Sequence, residues 1–167
     1  MANVYSFLDT QVAINGPGGS FTIGGTGSGS AEEGITVEMN EDKNTMTIGA
    51  DGTAMHSLHA GQGGKLTIRL LKTSPVNSQL SAMYATQTSS SALHGQNVVS
   101  LKNSTLGDSI TAAKCAFKRL PTLTYAKEGG INVWEFDVGV VAMSLGGGGS
   151  EANIINALIS NLPTGSV

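Results

Sequence analysis

The segment between Asp51 and His59 contains the side chains of this chain that are best suited to binding a metal ion. His56 and His59 are three positions apart, and on a helix that spacing would place both imidazoles on one side. The glycines around them argue against a helix, so the ligand geometry would not be set in advance. A metal site also needs further ligands, and Asp51 is the only nearby carboxylate. We therefore expect a solvated loop, with a small metalloenzyme as the alternative that bound zinc or iron would support.

A second candidate for chemistry is the pair of carboxylates at Glu135 and Asp137. They are two positions apart in a strand pattern, so their side chains share one face. Paired carboxylates can act as acid and base when burial separates their pKa values. The same face also contains Gly139, and no histidine or aromatic pocket is evident. We expect an acidic strip that faces solvent or a lumen, and not a catalytic pair.

Two glycine-rich segments fail the tests for phosphate binding. In GQGGKL, Leu66 follows Lys65 at the position where a serine or threonine must reach magnesium, and the first glycine lacks the required spacing. GGTGSG, after Ile23, lacks the dinucleotide spacing and begins no helix. Cys115 shares a strand face with Phe117, so we expect a small core residue and not a nucleophile. No pattern predicts catalysis, so we expect no enzyme and no cofactor.

The composition favours a protein that assembles. A chain of 167 residues with 40% hydrophobic residues is long enough for one domain with a core. Only 13% of the residues are charged and 23 are glycine, which favours a surface covered by neighbours. A Gly- and Ser-rich secreted β-protein would have a similar composition. The net charge of -3 argues against a dedicated nucleic-acid binder, which normally has a basic face.

The chain shows no sign of an oxidising compartment or of a membrane. Cys115 is its only cysteine, so an intrachain disulfide is impossible. The N-terminal residues contain no basic region followed by an apolar run, and no segment approaches the about 20 apolar residues that span a bilayer. We expect a cytosolic protein without a membrane partner.

The clearest elements are a strand at residues 65–70 and the helix that follows it. Apolar residues of the strand alternate with polar ones: Leu66, Ile68 and Leu70. Ser74 can cap a helix and Pro75 suits its first position. Apolar residues then recur at helical spacing: Val76, Leu80, Met83 and Tyr84. A half-buried strand therefore leads into a short amphipathic helix that lies on a sheet.

Further strands are predicted on both sides of this unit. Residues 11–15 and 20–23 flank a glycine-rich turn, and residues 35–40 and 45–48 form a predicted hairpin across a polar turn at residues 41–44. Residues 49–64 are predicted to be a long loop, and loops of that length are usually functional or mobile. Residues 86–91 are expected to be loop, and later strands are predicted at residues 98–101, 111–118 and 131–145. This pattern predicts a mainly β fold of two packed β-sheets, a sandwich or partly closed barrel, with one flanking α-helix.

The C-terminal residues differ in character from the rest. GGGGS at residues 146–150 is interpreted as a hinge, and apolar residues at 153–162 recur at helical spacing. We predict one domain at residues 1–148 and a C-terminal extension at residues 149–167 that contains a short helix.

Charge is segregated along the chain. Acidic residues cluster early and basic residues cluster late: Glu32, Glu33, Glu38, Glu41 and Asp42, then Lys114, Lys118, Arg119 and Lys127. The two clusters are either two solvated faces or complementary patches through which one subunit contacts the next in a ring. In the second interpretation, the inter-subunit residues are Glu32, Glu33, Glu41, Asp42, Lys114, Lys118, Arg119 and Lys127.

Four segments together resemble the tail tube proteins of contractile-tailed bacteriophages. They are YSFLDTQVAINGPGGSFTIGGTG, GKLTIRLLKTSPVNSQLSAMY, TLGDSITAAKCAFKRLPTLTYAKEGG and VWEFDVGVVAMSLGG, and the resemblance covers residues 4–148. It implies the fold of type VI secretion tube proteins and no catalysis. It also implies homo-hexameric rings that stack into a hollow conduit inside a contractile sheath, through which the phage genome passes. The implied partners are the tail sheath, the baseplate hub and the tail terminator, in a virion tail that is assembled in the host cytoplasm.

The resemblance also assigns roles to residues. In the family, a long loop after the first hairpin contacts the neighbouring ring, which here implies Gly49, Asp51, Gly52, Met55, His56, His59, Gly61 and Gly64. An acidic lumen would let DNA slide without binding, which implies Glu38, Glu135 and Asp137 as lumen-facing residues. The alternatives with the same fold are a type VI-secretion-like tube and a tail terminator ring protein.

Overall fold

A computed structural model of the protein describes residues 4–24 and 30–146, with side chains from residue 34 onward in the second segment. In chain order the elements are a 3₁₀ helix Phe7–Asp9, β1 Thr10–Gly16, β2 Gly19–Gly24, β3 Ser30–Met39, β4 Asn44–Ile48, β5 Ala54–Leu58, β6 Gly64–Leu71, α1 Val76–Thr88, β7 Asn97–Asn103, β8 Asp108–Arg119 and β9 Ile131–Ser144. The mainly β fold with one helix is confirmed. The predicted C-terminal extension and the linker at residues 25–29 lie outside the described residues.

Seven of the strands form one antiparallel sheet in the order β2-β1-β7-β8-β9-β6-β3. The sheet curls: Ile35 and Val37 of β3, at one edge, line a cavity of about 190 Å³ together with Leu101 of β7 and Ile110 of β8. Three strands separate β3 from β7 in the sheet order, so a flat sheet could not bring these side chains together. Of the two forms that the sequence predicts, a sandwich or a partly closed barrel, the chain adopts the partly closed barrel.

The core lies on the concave face of this sheet and under α1. Strands β6 and β9 alternate as predicted, so that their inward side chains are buried: Leu66, Ile68, Leu70, Trp134, Phe136 and Val138. Phe117 of β8 is the centre of an aromatic cluster, with its ring centroid 4.5 Å from that of Phe136 and 5.6 Å from that of Tyr84. Aromatic pairs at these distances add to the stabilisation that burial alone provides.

Helix α1 begins at Val76, one residue after the predicted first position at Pro75, and it ends later than predicted. Ser74 Oγ accepts a hydrogen bond from the Val76 amide at 3.3 Å, and Val76, Leu80 and Met83 are buried. The helix continues to Thr88, where a loop was expected from residue 86. The prediction stopped early because residues 86–91 are all polar and gave no sign of burial. The side chain of Gln87 is nevertheless fully buried, and it holds this last turn of the helix against the protein.

Gln87 forms a buried amide pair with Asn97 of β7. Gln87 Nε2 donates to Asn97 Oδ1, and Asn97 Nδ2 donates to Gln87 Oε1, each at 2.7 Å. Gln87 Nε2 also donates to the Pro17 carbonyl at 2.9 Å. Gly16 is required beside this pair, because a Cβ there would lie 1.8 Å from Asn97 Oδ1. The pair fixes the end of α1 to the turn between β1 and β2.

The predicted hairpin between residues 35–40 and 45–48 is wrong. β3 pairs with β6, and β4 pairs with β5. The hairpin turn lies at residues 49–53, where Gly52 has φ +86° and the Gly49 amide donates to the Thr53 carbonyl at 2.7 Å. The loop predicted at residues 49–64 is therefore a turn, the strand β5, a short connection and the first residue of β6. The polar residues at 41–44 resembled a turn, but they continue the chain from β3 into β4.

The predicted alternation in β8 is also wrong on one side of Lys114. The buried residues are Ala112, Cys115 and Phe117, whereas Ala113 was expected on the face of Cys115. Lys114 has a positive φ of 55°, and β8 has an extra residue relative to β7 at this point. Such a bulge reverses the side-chain phase of the strand. The alternation of apolar and polar residues does not show that one residue of the strand has left-handed backbone dihedral angles, so the sequence did not predict the bulge.

Candidate functional site

The β4–β5 hairpin extends beyond the sheet as a continuation of the ribbon formed by β3 and β6. The Asn40 amide donates to the Gly63 carbonyl at 3.1 Å, and the His59 amide donates to the Lys43 carbonyl at 3.0 Å. These bonds join the end of the sheet to the base of the hairpin. In the described part of the chain, β4 and β5 pair with each other and with no third strand. The hairpin is therefore an arm attached at one end of β6.

One face of this arm is apolar and exposed. Directly paired residues of two antiparallel strands share a face, which groups Met46 with His56 and Ile48 with Ala54. Met46 is 55% exposed, Ile48 56% and Leu58 86%. An exposed apolar patch of this kind marks an interaction surface. Met55, also exposed, lies on the opposite face.

The polar side chains of the arm are engaged with one another. His56 Nδ1 lies 3.1 Å from Asn44 Nδ2, and His59 Nε2 lies 2.8 Å from Thr45 Oγ1. Asp51 Oδ1 accepts a hydrogen bond from the Thr53 amide at 3.0 Å. Within residues 4–24 and 30–146, no three His, Cys, Asp or Glu side chains are placed to share a metal ion. Each residue of the metalloenzyme alternative, His56, His59 and Asp51, therefore has a polar partner within the arm.

Asp51 is at the tip of the arm, between β4 and β5. Its hydrogen bonds with Thr53 hold the pKa of the carboxyl below its usual range. The tip therefore has a negative charge at neutral pH. The other predicted members of the contact loop lie along the arm or at its base, and Gly64 is the first, buried residue of β6.

The three acidic candidates for a lumen share the convex face of the sheet. Glu38 of β3 pairs with Lys65 of β6, which in turn pairs with Asp137 of β9, so an acid, a base and an acid stand in one row. Glu135 lies in the next row on the same face, opposite Thr67. The strip is thus less acidic than the sequence predicts, because Lys65 lies inside it. Two-residue spacing revealed the shared face of Glu135 and Asp137, whereas Lys65 joins them only through long-range pairing.

Glu135 is paired with Arg119 within the subunit. Arg119 Nε lies 3.3 Å from Glu135 Oε2, an ion pair without a hydrogen bond among the described residues. The Arg119 side chain is 69% exposed, and such pairs contribute roughly 0–1 kcal/mol. Arg119, a candidate for an inter-subunit contact, therefore already has an acidic partner in its own chain.

The other charged candidates are exposed where their side chains are described. Glu41 and Asp42 follow the end of β3 near the base of the arm, whereas Lys118 and Arg119 lie at the end of β8, and Lys127 lies in the connection to β9. Lys114 is exposed at the bulge of β8. The side chains of Glu32 and Glu33 are not among those described. The structure thus places Glu41 and Asp42 beyond the last residue of β3 at the arm, and Lys118 and Arg119 at the C-terminal end of β8, level with Glu135 of β9. Lys114 lies apart from them, beside Gly139 and level with the start of β6.

The sheet has two edges at which neighbouring copies can pair. In the described chain, β2 and β3 are its end strands. An end strand presents unpaired amide and carbonyl groups, which are a template for pairing with a strand of another chain. Both edges are therefore candidate contacts within a ring.

Cys115 is a core residue, as predicted. It is fully buried, and burial raises the pKa of its thiol to about 11. The thiol stays protonated at neutral pH, and the thiolate is the nucleophilic form.

Among the described residues, none of the helices is long and apolar enough to cross a membrane.

Comparison with known proteins identifies the family. The structure is similar to the anti-feeding prophage baseplate solved with six-fold symmetry applied, with a TM-score of 0.51 and 12% identity over 86% of this chain and 97% of that one. It is also similar to the tube-terminating cap of the same particle, with a TM-score of 0.50 and 8% identity over 87% of this chain and 93% of that one. No curated protein sequence is significantly similar to the chain. These likenesses concern the fold.

The sequence itself matches the family model described as "Bacteriophage PhiTE tail tube protein" over residues 1–146. That match spans every element described above, from the 3₁₀ helix to the end of β9. The chain therefore belongs to the bacteriophage PhiTE tail tube protein family, and it is a structural subunit of a phage tail tube.

Proposed function

We propose that this subunit forms six-membered rings that stack into a hollow tube inside a contractile sheath, and that the phage genome passes through the lumen. The tube is assembled in the host cytoplasm and contacts the sheath, the baseplate hub and the terminator. The observation that carries this proposal is the β4–β5 hairpin, an exposed apolar arm with no strand partner in the described chain. Such a surface needs a partner to remove it from water.

Contacts within a ring are assigned to the open edges of the curled sheet. Pairing of β2 or β3 with a strand of a neighbouring subunit would satisfy the edge groups and close a barrel around a lumen. Support for six members comes from the anti-feeding prophage baseplate, which has six-fold symmetry and a similar fold. In this arrangement the subunit depends on its neighbours for a complete sheet.

Contacts between rings are assigned to the arm. It is attached beyond the row that pairs Met39 with Gly64, so it extends past the ends of β3 and β6, and we assign it to the contact with another ring. The residues implied by family resemblance for this contact lie on it or at its base, and the structure adds Met46, Ile48 and Leu58. Met46 and Ile48 were missed because their strand was expected to pair with the strand that begins at Ile35, and Leu58 was missed because residues 49–64 were expected to be a loop.

Electron microscopy of the purified, untagged protein tests the proposal. We expect tubes of uniform diameter with an open lumen, and rings at low concentration. A terminator protein would give single rings that do not stack at any concentration. Protein that stays monomeric at high concentration and physiological salt would contradict both ring formation and stacking.

The acidic strip gives a prediction about DNA. We place Glu38 and Asp137 at the lumen, where their charges repel the phosphate backbone. In the double variant Glu38→Lys, Asp137→Lys, three lysines per subunit would line one row, because Lys65 already lies between them. We expect tubes that retain DNA, with an affinity that falls roughly 10³-fold or more between 50 and 200 mM salt.

The control for this prediction is Glu38→Gln, Asp137→Asn, which removes the same charges without adding positive ones. Filter retention of labelled DNA fragments by assembled tubes measures the effect. If the lysine variant retained no more DNA than this control, the strip would not face the lumen.

A further inference from the structure

A second exposed apolar surface lies at the end of the sheet opposite the arm. We call it the end patch, and it consists of Leu71, Leu120, Leu123, Tyr125, Ile131 and Val133. Leu71 pairs with Ile131, and Val133 pairs with the neighbouring Arg69, so the strand residues share the convex face. Tyr125 is 82% exposed, and Leu120 and Leu123 are about half exposed.

The connection between β8 and β9 is held in place over this end. Lys72 Nζ lies 3.6 Å from the centre of the Tyr125 ring, a cation–π contact, and also donates to the Thr124 carbonyl. The Lys72 amide donates to the Gly130 carbonyl at 3.1 Å. The patch is therefore ordered before any partner arrives, which lowers the entropy cost of binding.

The arm and the end patch are at opposite ends of the same strand. The arm is attached at Gly64, where β6 begins, and the end patch includes Leu71, where β6 ends. A strand of this length spans roughly 23 Å at 3.3 Å per residue. Surfaces at opposite ends of one subunit cannot meet within it, but copies related by translation along β6 bring them together.

The two surfaces also have opposite charges. Glu41 and Asp42 are at the base of the arm together with Lys43, which donates to the Gly61 carbonyl, and Asp51 is at its tip. Lys118 and Lys127 are exposed beside the end patch, where Glu128 is the acidic residue of the connection. Complementary potentials favour and orient such a contact.

We propose that the end patch is the docking site for the β4–β5 arm of a copy in the adjacent ring. This inference rests on the proposed stacking of rings and specifies its receiving surface. A contact between unlike surfaces at the two ends of one subunit is heterologous, so it repeats without limit and produces a stack of rings. The acidic residues of the arm and the basic residues beside the end patch would then attract each other along the tube.

Two variants with one damaged surface each test the pairing. The arm variant Met46→Asp, Leu58→Asp keeps an intact end patch, and the patch variant Leu123→Asp, Tyr125→Asp keeps an intact arm. All four positions are exposed, so both variants should fold and form rings. We expect each alone to lose tubes, and a mixture of preformed rings to give pairs of rings and nothing longer.

The outcomes are distinct. Tubes from the patch variant alone would show that the arm docks elsewhere and that another protein covers the patch. Variants that each lose tubes but give no paired rings when mixed would show that the two surfaces are not partners. Wild-type protein that forms no rings or tubes would instead refute the proposed function.

A cross-linking measurement leaves the apolar contact intact. The double variant Asp51→Cys, Lys127→Cys should give a ladder of covalent oligomers when assembled tubes react with a flexible bis-maleimide, and each single variant should not. The native Cys115 is buried, so it should not contribute. Tubes of the double variant that yield no ladder would overturn the assignment.

Discussion

Shortening the arm should leave rings but abolish tubes. Residues 45–57 can be replaced by Asn-Gly, because Asn44 and Leu58 are directly paired and a two-residue turn of this type joins such a pair. All the residues of β4 and most of those of β5 are exposed, so the core loses nothing and the subunit should stay folded. Electron microscopy and sedimentation should show single rings where the wild type shows tubes.

The size of this effect follows from the side chains removed. Met46, Ile48 and Met55 are each more than half exposed in the subunit, and full burial of such a side chain is worth about 1.5–3 kcal/mol. Every subunit of a ring contributes one arm, and the contacts of one ring form together, so their effect multiplies. Loss of all the arms should therefore prevent stacking and not merely weaken it.

The matched control keeps the length of the arm and changes its apolar face. Met46→Thr, Ile48→Thr retains strand propensity but reduces the apolar area, so we expect shorter tubes or a higher concentration for assembly. Tubes of normal length from the shortened protein would show that the arm is not the contact between rings.

Local sequence patterns predicted the elements whose conformation is determined by residues close together in the sequence. The strand β6 and helix α1 were predicted because alternation, a capping serine and helical spacing all agree. The arm was paired wrongly, because two polar segments, at residues 41–44 and 49–53, both resemble turns. Which of the two segments is the hairpin turn depends on whether β3 pairs with β6. These strands are distant in the sequence, so local patterns do not predict their pairing.

For the candidate site too, the sequence predicted the features that follow from local spacing and missed those that depend on strand pairing. The shared face of Glu135 and Asp137 follows from their spacing alone. The position of Lys65 between Asp137 and Glu38 depends on the register of three strands. The end patch was not predicted, because Leu71 is far in sequence from Leu123 and Tyr125, and only the β6–β9 pairing brings their segments to one end.

Replacing Phe136 by alanine should cost the largest part of the stability of the subunit. Phe136 is the largest of the fully buried side chains, and its ring packs against Phe117 with centroids 4.5 Å apart. Buried phenylalanine-to-alanine changes cost about 3–5 kcal/mol, because burial is lost and a cavity is left. A domain is stable by only about 5–15 kcal/mol, so this change threatens the fold.

The curl of the sheet gives this change a consequence for assembly. Phe136 lies between the inward side chains Trp134 and Val138 on β9, a central strand with β8 on one side and β6 on the other. A cavity at this point loosens the packing that sets the curvature, so the edges β2 and β3 would no longer be held at the spacing that ring closure requires. We expect the variant to form fewer rings as well as to unfold earlier.

Urea denaturation at low protein concentration measures the effect, with the midpoint checked at several concentrations because assembly adds apparent stability. Phe136→Leu should lose less than Phe136→Ala, since it retains most of the volume. Val133→Ala, on the exposed face of the same strand, should change the free energy of unfolding by no more than about 0.5 kcal/mol. A Phe136→Ala protein with the unfolding midpoint of the Val133→Ala protein would show that the aromatic cluster does not hold the sheet in its curled form.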